Sequence, residues 1–329
     1  MTELSLSLAR EFPEDTYTLI SDQPFKMPAG MLPNLQRGFP GEGKRRWWLR
    51  GLRNSLREMG SNVFHGTNFE VPYLGSTPAV MTIHDLSPWK DPAWHNEASR
   101  VRRRTPWMLR LGRARIVITV SEAVRREVIR YFGFPKDRVR AVPLAASDLF
   151  EPVPDPGPPP RRPFFLFVGT LEPRKNLSAL IEAWNATRSE TGADLVISGR
   201  YRTRYPPLSP MDGLRYIGEA GDLDLPHFFT HALALVYPSH YEGFGLPVLE
   251  AMQCGCPVIT SKDPAITEVS GGAALHTGSA LELADALRNV AKNPEIRRKM
   301  HDDGLARAKC FSWSRTAQAT RAIYAEVAS

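Results

Sequence analysis

An α/β chain of two doubly wound, parallel-sheet domains, Rossmann-like in plan, is predicted by three observations. Short apolar runs alternate with helical patterns in both halves of the sequence. The segment 152–163, PVPDPGPPPRRP, breaks that alternation. The length of 329 residues exceeds what one hydrophobic core normally holds. Proline lacks a backbone N–H and fixes φ, so 152–163 can be neither helix interior nor central strand and reads as a linker. It separates a first domain, 1–151, from a second, 164–311.

In the first domain a helix is expected from Thr2, and strands over 17–20, 63–65, 80–84 and 116–120, with helices between them. Across 44–59, Trp48, Leu52, Leu56 and Met59 share one helical face while Arg46, Arg50, Arg53 and Arg57 lie elsewhere. That pattern predicts a helix packed onto its own domain in preference to lipid.

In the second domain the order is strand 164–168, helix 176–188, strands 194–198 and 214–217, helix 225–230 and strand 233–237. Asp222 and Asp224 precede the 225–230 helix and are read as N-caps in preference to a metal pair. The apolar run 233–237 ends in Pro238 and Ser239, as a buried strand entering a loop does. Gly243, Phe244 and Gly245 then let backbone approach a ligand closely, and Pro247 suits a first helical turn. A helix starting near Pro247 is apolar nearly all round, through Val248, Leu249, Ala251 and Met252, and stops at Gly255 and Pro257. Its free N–H groups and the positive end of its dipole form a phosphate site. Glu242 lies ahead of that start and Glu250 about one turn inside it. One carboxylate can face a sugar while the other reaches a ribose.

Composition bounds the rest. Hydrophobic residues make up 42% and the mean hydropathy is -0.30, with no apolar run near the roughly 18 residues of a membrane span. The opening MTELSLSLAREFPED has no secretory apolar region, so a cytoplasmic protein is expected. Three cysteines suit a reducing compartment, and Cys254-Gly-Cys256 without a second pair reads as packing. Charge is uneven: residues 1–150 hold 23 Lys plus Arg against 15 Asp plus Glu, and the remainder 19 against 20. The clusters Lys44-Arg45-Arg46, 100–104 and Arg125-Arg126 suit peripheral contact with an anionic membrane surface or a lipid phosphate, solvated surface being the alternative. No nucleic-acid motif accompanies them, so no nucleic-acid partner is expected.

Two blocks carry a resemblance. The run 242–250, EGFGLPVLE, resembles the paired-glutamate motif, two Glu eight positions apart, of retaining family 4 glycosyltransferases with the GT-B fold. Independently, 164–184, FFLFVGTLEPRKNLSALIEAW, resembles the opening strand, turn and helix of their nucleotide-binding domain. The segments 63–67 (VFHGT), 80–87 (VMTIHDLS), 118–124 (ITVSEAV) and 311–324 follow in the family's order, so the similarity covers nearly the whole chain. It looks closest to bacterial mannosyltransferase-like members acting on surface polysaccharides.

The resemblance implies two Rossmann-like domains facing a cleft, with the last helix, within 312–329, returning to the first domain. It implies a metal-independent transferase that moves a sugar from a nucleotide diphosphate donor, GDP-mannose being the expected one, to a glycan or lipid-linked acceptor. No cofactor is implied, the nucleotide sugar being a co-substrate. Arg174 and Lys175, in the turn after Gly169, would neutralise the leaving diphosphate together with the helix start at Leu246. Thr170 stands where some relatives carry Arg. As catalytic residues, Glu242 would face the transferred sugar and His84 would contact it. Glu250 would hold the ribose hydroxyls, Tyr216 and Ile217 would read the base through backbone groups, and Gly66 and Thr67 would border the acceptor. The acceptor proton would pass to the leaving phosphate without a dedicated base. Relatives open with a strand and a glycine-rich loop ahead of the helix found here at Thr2, so the first domain is expected to lack its usual first strand. A catalytically impaired nucleotide-sugar-binding or scaffold protein, and a sugar-nucleotide epimerase, are the alternative functions.

Overall fold

In a computed structural model the described residues are 2–21, 23–30, 32–38, 47–91, 94, 98–157, 160–202 and 205–329. The basic cluster 44–46 and two residues of the predicted linker, 158–159, lie outside them. The chain divides into two units, Met1–Leu144 with Ser312–Ser329, and Ala145–Phe311.

The first unit opens with α1 (Thr2–Glu11) and a two-stranded parallel pair, β1 (Tyr17–Leu19) with β2 (Leu35–Arg37). A π-helical turn, Trp47–Gly51, runs directly into α2 (Leu52–Glu58). There follow β3 (Phe64–Gly66), β4 (Ala79–Ile83), α3 (Ser87–Lys90), α4 (Ser99–Arg110), β5 (Ile116–Thr119), α5 (Glu122–Phe132) and β6 (Val139–Ala141). The sheet is parallel in the order β3-β4-β5-β6, with β3 at its edge and the β1–β2 pair separate.

Alternation along each strand divides the core between the two sheet faces. On one face Met81 and Val117 pack with Trp47, Leu52, Leu56, Met108, Val124 and Val128. On the other, Val80, Ile116 and Ile118 meet Ile323 and Val327 of the final helix. The segment expected as one helix over 44–59 is, among its described residues, a π turn followed by a short α-helix. Trp47, absent from the predicted face, is the buried one of the adjacent pair Trp47 and Trp48, and Trp48 and Met59 pack at the margin. The loop after β3 folds back closely over the end of that strand. A Cβ on Gly66 would stand 1.7 Å from the Glu70 carbonyl oxygen. Gly66→Ala is therefore expected to cost about 3 kcal/mol of stability, read as a lower urea midpoint at unchanged slope.

The second unit comprises β7 (Phe164–Val168), α6 (Leu177–Thr191), β8 (Asp194–Ser198), β9 (Leu214–Tyr216), α7 (Leu225–His231), β10 (Ala234–Tyr237) and α8 (Leu246–Gln253). It continues with β11 (Val258–Ser261), α9 (Pro264–Ser270), β12 (Leu275–Thr277), α10 (Ala280–Lys292) and α11 (Pro294–Ala308). After it, α12 (Trp313–Ala328) rejoins the first unit, where Ala317 packs on Leu4 and Leu8 of α1. His65 buries its ring against that helix, with Nδ1 2.6 Å from the Tyr324 hydroxyl and Nε2 2.7 Å from Thr82 Oγ1. Burial drops the imidazole to about 3, so it stays neutral in this contact.

The second sheet is parallel in the order β12-β11-β10-β7-β8-β9. Its core of Phe165, Phe167, Trp184, Leu195, Ile197 and Val236 is apolar except for the Trp184 indole N–H, which donates to the Ala193 carbonyl at 2.8 Å. From β7 the chain runs to β8 on one side and later returns through β10 on the other, so strand order reverses between β7 and β10. Ligands of open α/β sheets bind at the carboxyl ends of such a reversal. One expectation fails here. Asp224 stands at the N-cap of α7 but makes no side-chain cap bond, because its backbone is already helical (φ -90°, ψ -31°) and Pro226, two places on, has no N–H to donate to it.

Candidate active site

The turn after β7 launches two cations in one direction. Residues Pro173–Lys175 form a single 3-10 turn, closed by Asn176 in the left-handed region at φ 54°. The loop after β10 meets that turn, since the His240 N–H donates to the Arg174 carbonyl at 2.9 Å. Glu242 arrives between the cations. Its Oε1 lies 2.6 Å from Lys175 Nζ and its Oε2 2.9 Å from Arg174 Nη1. Arg174 Nη1 also donates to the Tyr241 carbonyl at 2.6 Å, while Nε and Nη2 donate to Glu172 Oε1 at 3.1 and 2.7 Å. The second oxygen of Glu172 is 2.5 Å from Arg202 Nη1. Lys175 Nζ completes its set with the Tyr237 hydroxyl and sits 4.7 Å from that ring's centroid.

These side chains are nearly out of water, Arg174 at 11% exposed being the most open of Arg174, Lys175, Glu242 and Glu172. Burial by itself raises the Glu242 carboxyl, but the Lys175 ammonium and the Arg174 guanidinium outweigh it and hold the group below the ordinary carboxylate range. Among the described residues the cluster thus presents three cations, Arg174, Lys175 and Arg202, against two carboxylates, Glu172 and Glu242. A further anion can be taken there, in a place where charges are weakly screened.

The same loop leads into α8. Gly245 adopts φ 93°, which a Cβ would strain, and the helix starts at Leu246 with Pro247 in its second position. Gly243 therefore stands directly between the ion cluster and the helix start. The Phe244 ring is buried edge-on to Phe311, centroids 5.8 Å apart, so it faces the protein interior and only its backbone is available to a ligand. Asp263 pins the loop: Oδ2 accepts from the Glu242 N–H at 3.4 Å, and Oδ1 caps α9 through the N–H groups of Ala265 and Ile266. Burial pushes the Asp263 carboxyl up to about 6.

Further along α8, the carboxylate of the half-buried Glu250 accepts no hydrogen bond among the described residues. Burial, and then the nearby Asp222 charge, push its carboxyl up to about 7. Since that lies above the usual value of 4.5, the group favours folding below about pH 4.5, and the benefit is lost as pH rises through 7. Glu250→Gln is accordingly expected to gain about 2 kcal/mol of stability at pH 8 and nothing at pH 4, measured by denaturation at both. Among the remaining candidates of this unit, Gly169 sits at φ 149° with its N–H bonded to the Ser198 carbonyl at 3.0 Å, and Thr170 is half-buried beside it. Tyr216 donates its hydroxyl to the Gly199 carbonyl at 2.9 Å. The Ile217 N–H is engaged by the Ile197 carbonyl at 3.0 Å, so that donor is not free to read a base.

In the first unit, His84 Nε2 lies 2.8 Å from the Thr67 carbonyl. A carbonyl only accepts, so Nε2 carries the proton and Nδ1 is the acceptor of the neutral ring. Burial lowers the imidazole pKa and keeps that form. The structure thus gathers His84, Gly66 and Thr67 in one unit, and Arg174, Lys175, Glu242 and Gly243 to Leu246 in the other. Sequence reasoning missed Glu172, Arg202, Tyr237 and Asp263. The first had a signal, an acid two places before the cations in EPRK; Tyr237 ends an apolar strand and looked like core.

Residues 153–307 match the family model of glycosyl transferases group 1, and residues 15–147 that of glycosyltransferase family 4. The chain is 35% identical over 290 residues to the O-antigen chain mannosyltransferase B of Escherichia coli, covering 79% of this chain and 73% of that protein. It is 25% identical over 262 residues to the O-antigen chain mannosyltransferase RfbU of Salmonella typhimurium, covering 76% and 70%. Against the serotype-specific mannosyltransferase WbdA of Escherichia coli the identity is 27%, and the match spans 28% of that longer protein. Among solved structures, sucrose-phosphate synthase from Thermosynechococcus elongatus superposes with a TM-score of 0.78 at 20% identity, covering 98% of this chain and 91% of that one. WaaG, a glycosyltransferase involved in lipopolysaccharide biosynthesis, gives 0.73 at 14%, covering 98% and 94%. At these identities the superpositions show the fold: two parallel-sheet, Rossmann-like domains of the GT-B type.

Proposed function

This chain belongs to the group 1, family 4 glycosyltransferases of the GT-B fold, and from that premise we propose that it moves mannose from GDP-mannose onto a glycan or lipid-linked acceptor in surface polysaccharide synthesis. The reaction is read as retaining and metal-independent. The observation that carries this is the buried Arg174–Lys175–Glu242 cluster at the strand-order reversal between β7 and β10. A departing nucleoside diphosphate needs fixed positive charge in a site that excludes water, which two buried cations beside a helix start supply. As the diphosphate engages Lys175 and Arg174, the Glu242 carboxylate is released toward the hydroxyls of the sugar.

In the same reading, Glu250 accepts from the ribose hydroxyls, the backbone of Gly243 to Leu246 flanks the diphosphate, and Gly169 with Thr170 leaves room for it. Tyr216 and Ile217 border the base. The segment 164–311 binds the donor; 1–151 with 312–329 serves the acceptor, with 152–163 as the linker, Gly66 and Thr67 on the acceptor side and His84 against the sugar. The acceptor proton passes to the leaving phosphate. The mannosyl donor and surface-glycan acceptor are supported by the names of the O-antigen relatives. No described helix is long and apolar enough to cross a membrane, and the proposed location is the cytoplasm, in peripheral contact with the inner face of the membrane.

The test is a panel of GDP- and UDP-sugars scored by calorimetry and by slow donor hydrolysis. GDP-mannose should bind most tightly and be hydrolysed with its nucleotide released. Tighter binding of a UDP-sugar would remove the mannosyl assignment. A non-catalytic nucleotide-sugar-binding role is the second reading, favoured by the first unit's sheet ending at β3 with β1 and β2 apart from it. Affinity without turnover would select it.

A further inference from the structure

We propose that the solvent face of α4 is a docking surface for the anionic face of a lipid bilayer. Thr105, Met108 and Leu109 turn one side of α4 inward. On the opposite side Arg100, Arg103, Trp107 and Arg110 recur at spacings of three and four, and Leu111 follows at the helix end. Trp107 is 66% exposed and Leu111 60%. A large indole left in water forfeits its apolar contact, whereas the lipid–water boundary accepts both its apolar body and its N–H.

Charge identifies the partner. The helix carries five arginines and neither Asp nor Glu. Arg100 is held by Glu70 at 2.9 Å and Arg104 by the Tyr73 hydroxyl at 2.7 Å. Among the described residues Arg103 and Arg110 form no ion pair, leaving two planar guanidinium forks beside Trp107 for lipid phosphates. Leu74, also exposed, lies in a loop fixed near the end of α4 by Arg113, which donates to the carbonyls of Pro72 and Gly75. A second copy of this chain is a poor occupant, because a two-fold contact would bring like arginines together. The proposal gives the peripheral contact suggested above its surface and rests on that reading. Vesicle binding needs neither nucleotide nor acceptor, so the membrane reading and the transferase reading fail separately.

The full chain should cosediment with phosphatidylcholine–phosphatidylglycerol vesicles at low salt, stay in solution with phosphatidylcholine alone, and be released by high salt. Arg103→Glu/Arg110→Glu should lower partitioning about tenfold or more, and Trp107→Ala several-fold, with unchanged melting temperature. Arg298→Glu/Lys309→Glu, an equal charge change in the second unit, should bind as the parent does. The proposal is overturned if the parent ignores anionic vesicles or if the α4 variants bind as it does. An equal loss in the control pair, or a Trp107→Ala effect confined to oligomeric state, overturns it too.

Discussion

Lys175→Ala is expected to lower turnover by about a hundred- to a thousandfold, the cost of removing one preorganised donor from developing negative charge. Lys175 has its ammonium fixed 2.6 Å from Glu242 and packed on the Tyr237 ring, so it needs little reorganisation when a diphosphate arrives. Most of the loss should fall on kcat, because charge on the leaving phosphate grows toward the transition state. Lys175→Arg should recover only part of the rate, its broader fork being unable to occupy the same niche between Tyr237 and Glu242. Steady-state kinetics on the donor identified by the panel, with thermal denaturation alongside, checks this. Unchanged turnover would remove Lys175 from the proposed machinery.

Glu242→Ala should destabilise the fold by about 3 to 5 kcal/mol, since it leaves two buried cations without their shared counter-ion. Glu172 still holds one edge of Arg174, so Lys175 is the group left most exposed to that penalty. Glu242→Ala/Lys175→Met should therefore be more stable than Glu242→Ala, and a urea double-mutant cycle measures the coupling. The pH dependence has a definite sign. The paired carboxylate is held below its ordinary value of 4.5, so its contribution is present above that pH and disappears as pH falls through the lowered folded value. An additive cycle, with no coupling between the two positions, would mean that the pair does not hold the loops together.

Much of this arrangement was legible in one dimension. The strands 164–168 and 194–198 have in the structure the limits their apolar runs suggested, because a buried parallel strand is apolar on both faces and ends where turn residues begin. The segment 243–245 reads in the sequence as a place where backbone can approach a ligand closely, and the structure adds that Gly245 there is left-handed, at φ 93°. The strands β2, β6, β11 and β12 were missed, being three or four residues long and lacking a distinct period. The capping role assigned to Asp224 failed because a preference for a residue type says nothing about the backbone angle at that site.

By itself the sequence determined the two doubly wound halves and the loops in which cations and carboxylates stand, both of which follow from local pattern and turn chemistry. Only the tertiary structure decided that Glu242 reaches Lys175 across 67 positions, that Glu172 braces Arg174, and that Phe244 turns inward. The physical reason is the pairing of β7 beside β10: it aligns two distant carboxyl ends, and which side chains then neutralise one another depends on that alignment and not on any neighbour in the chain.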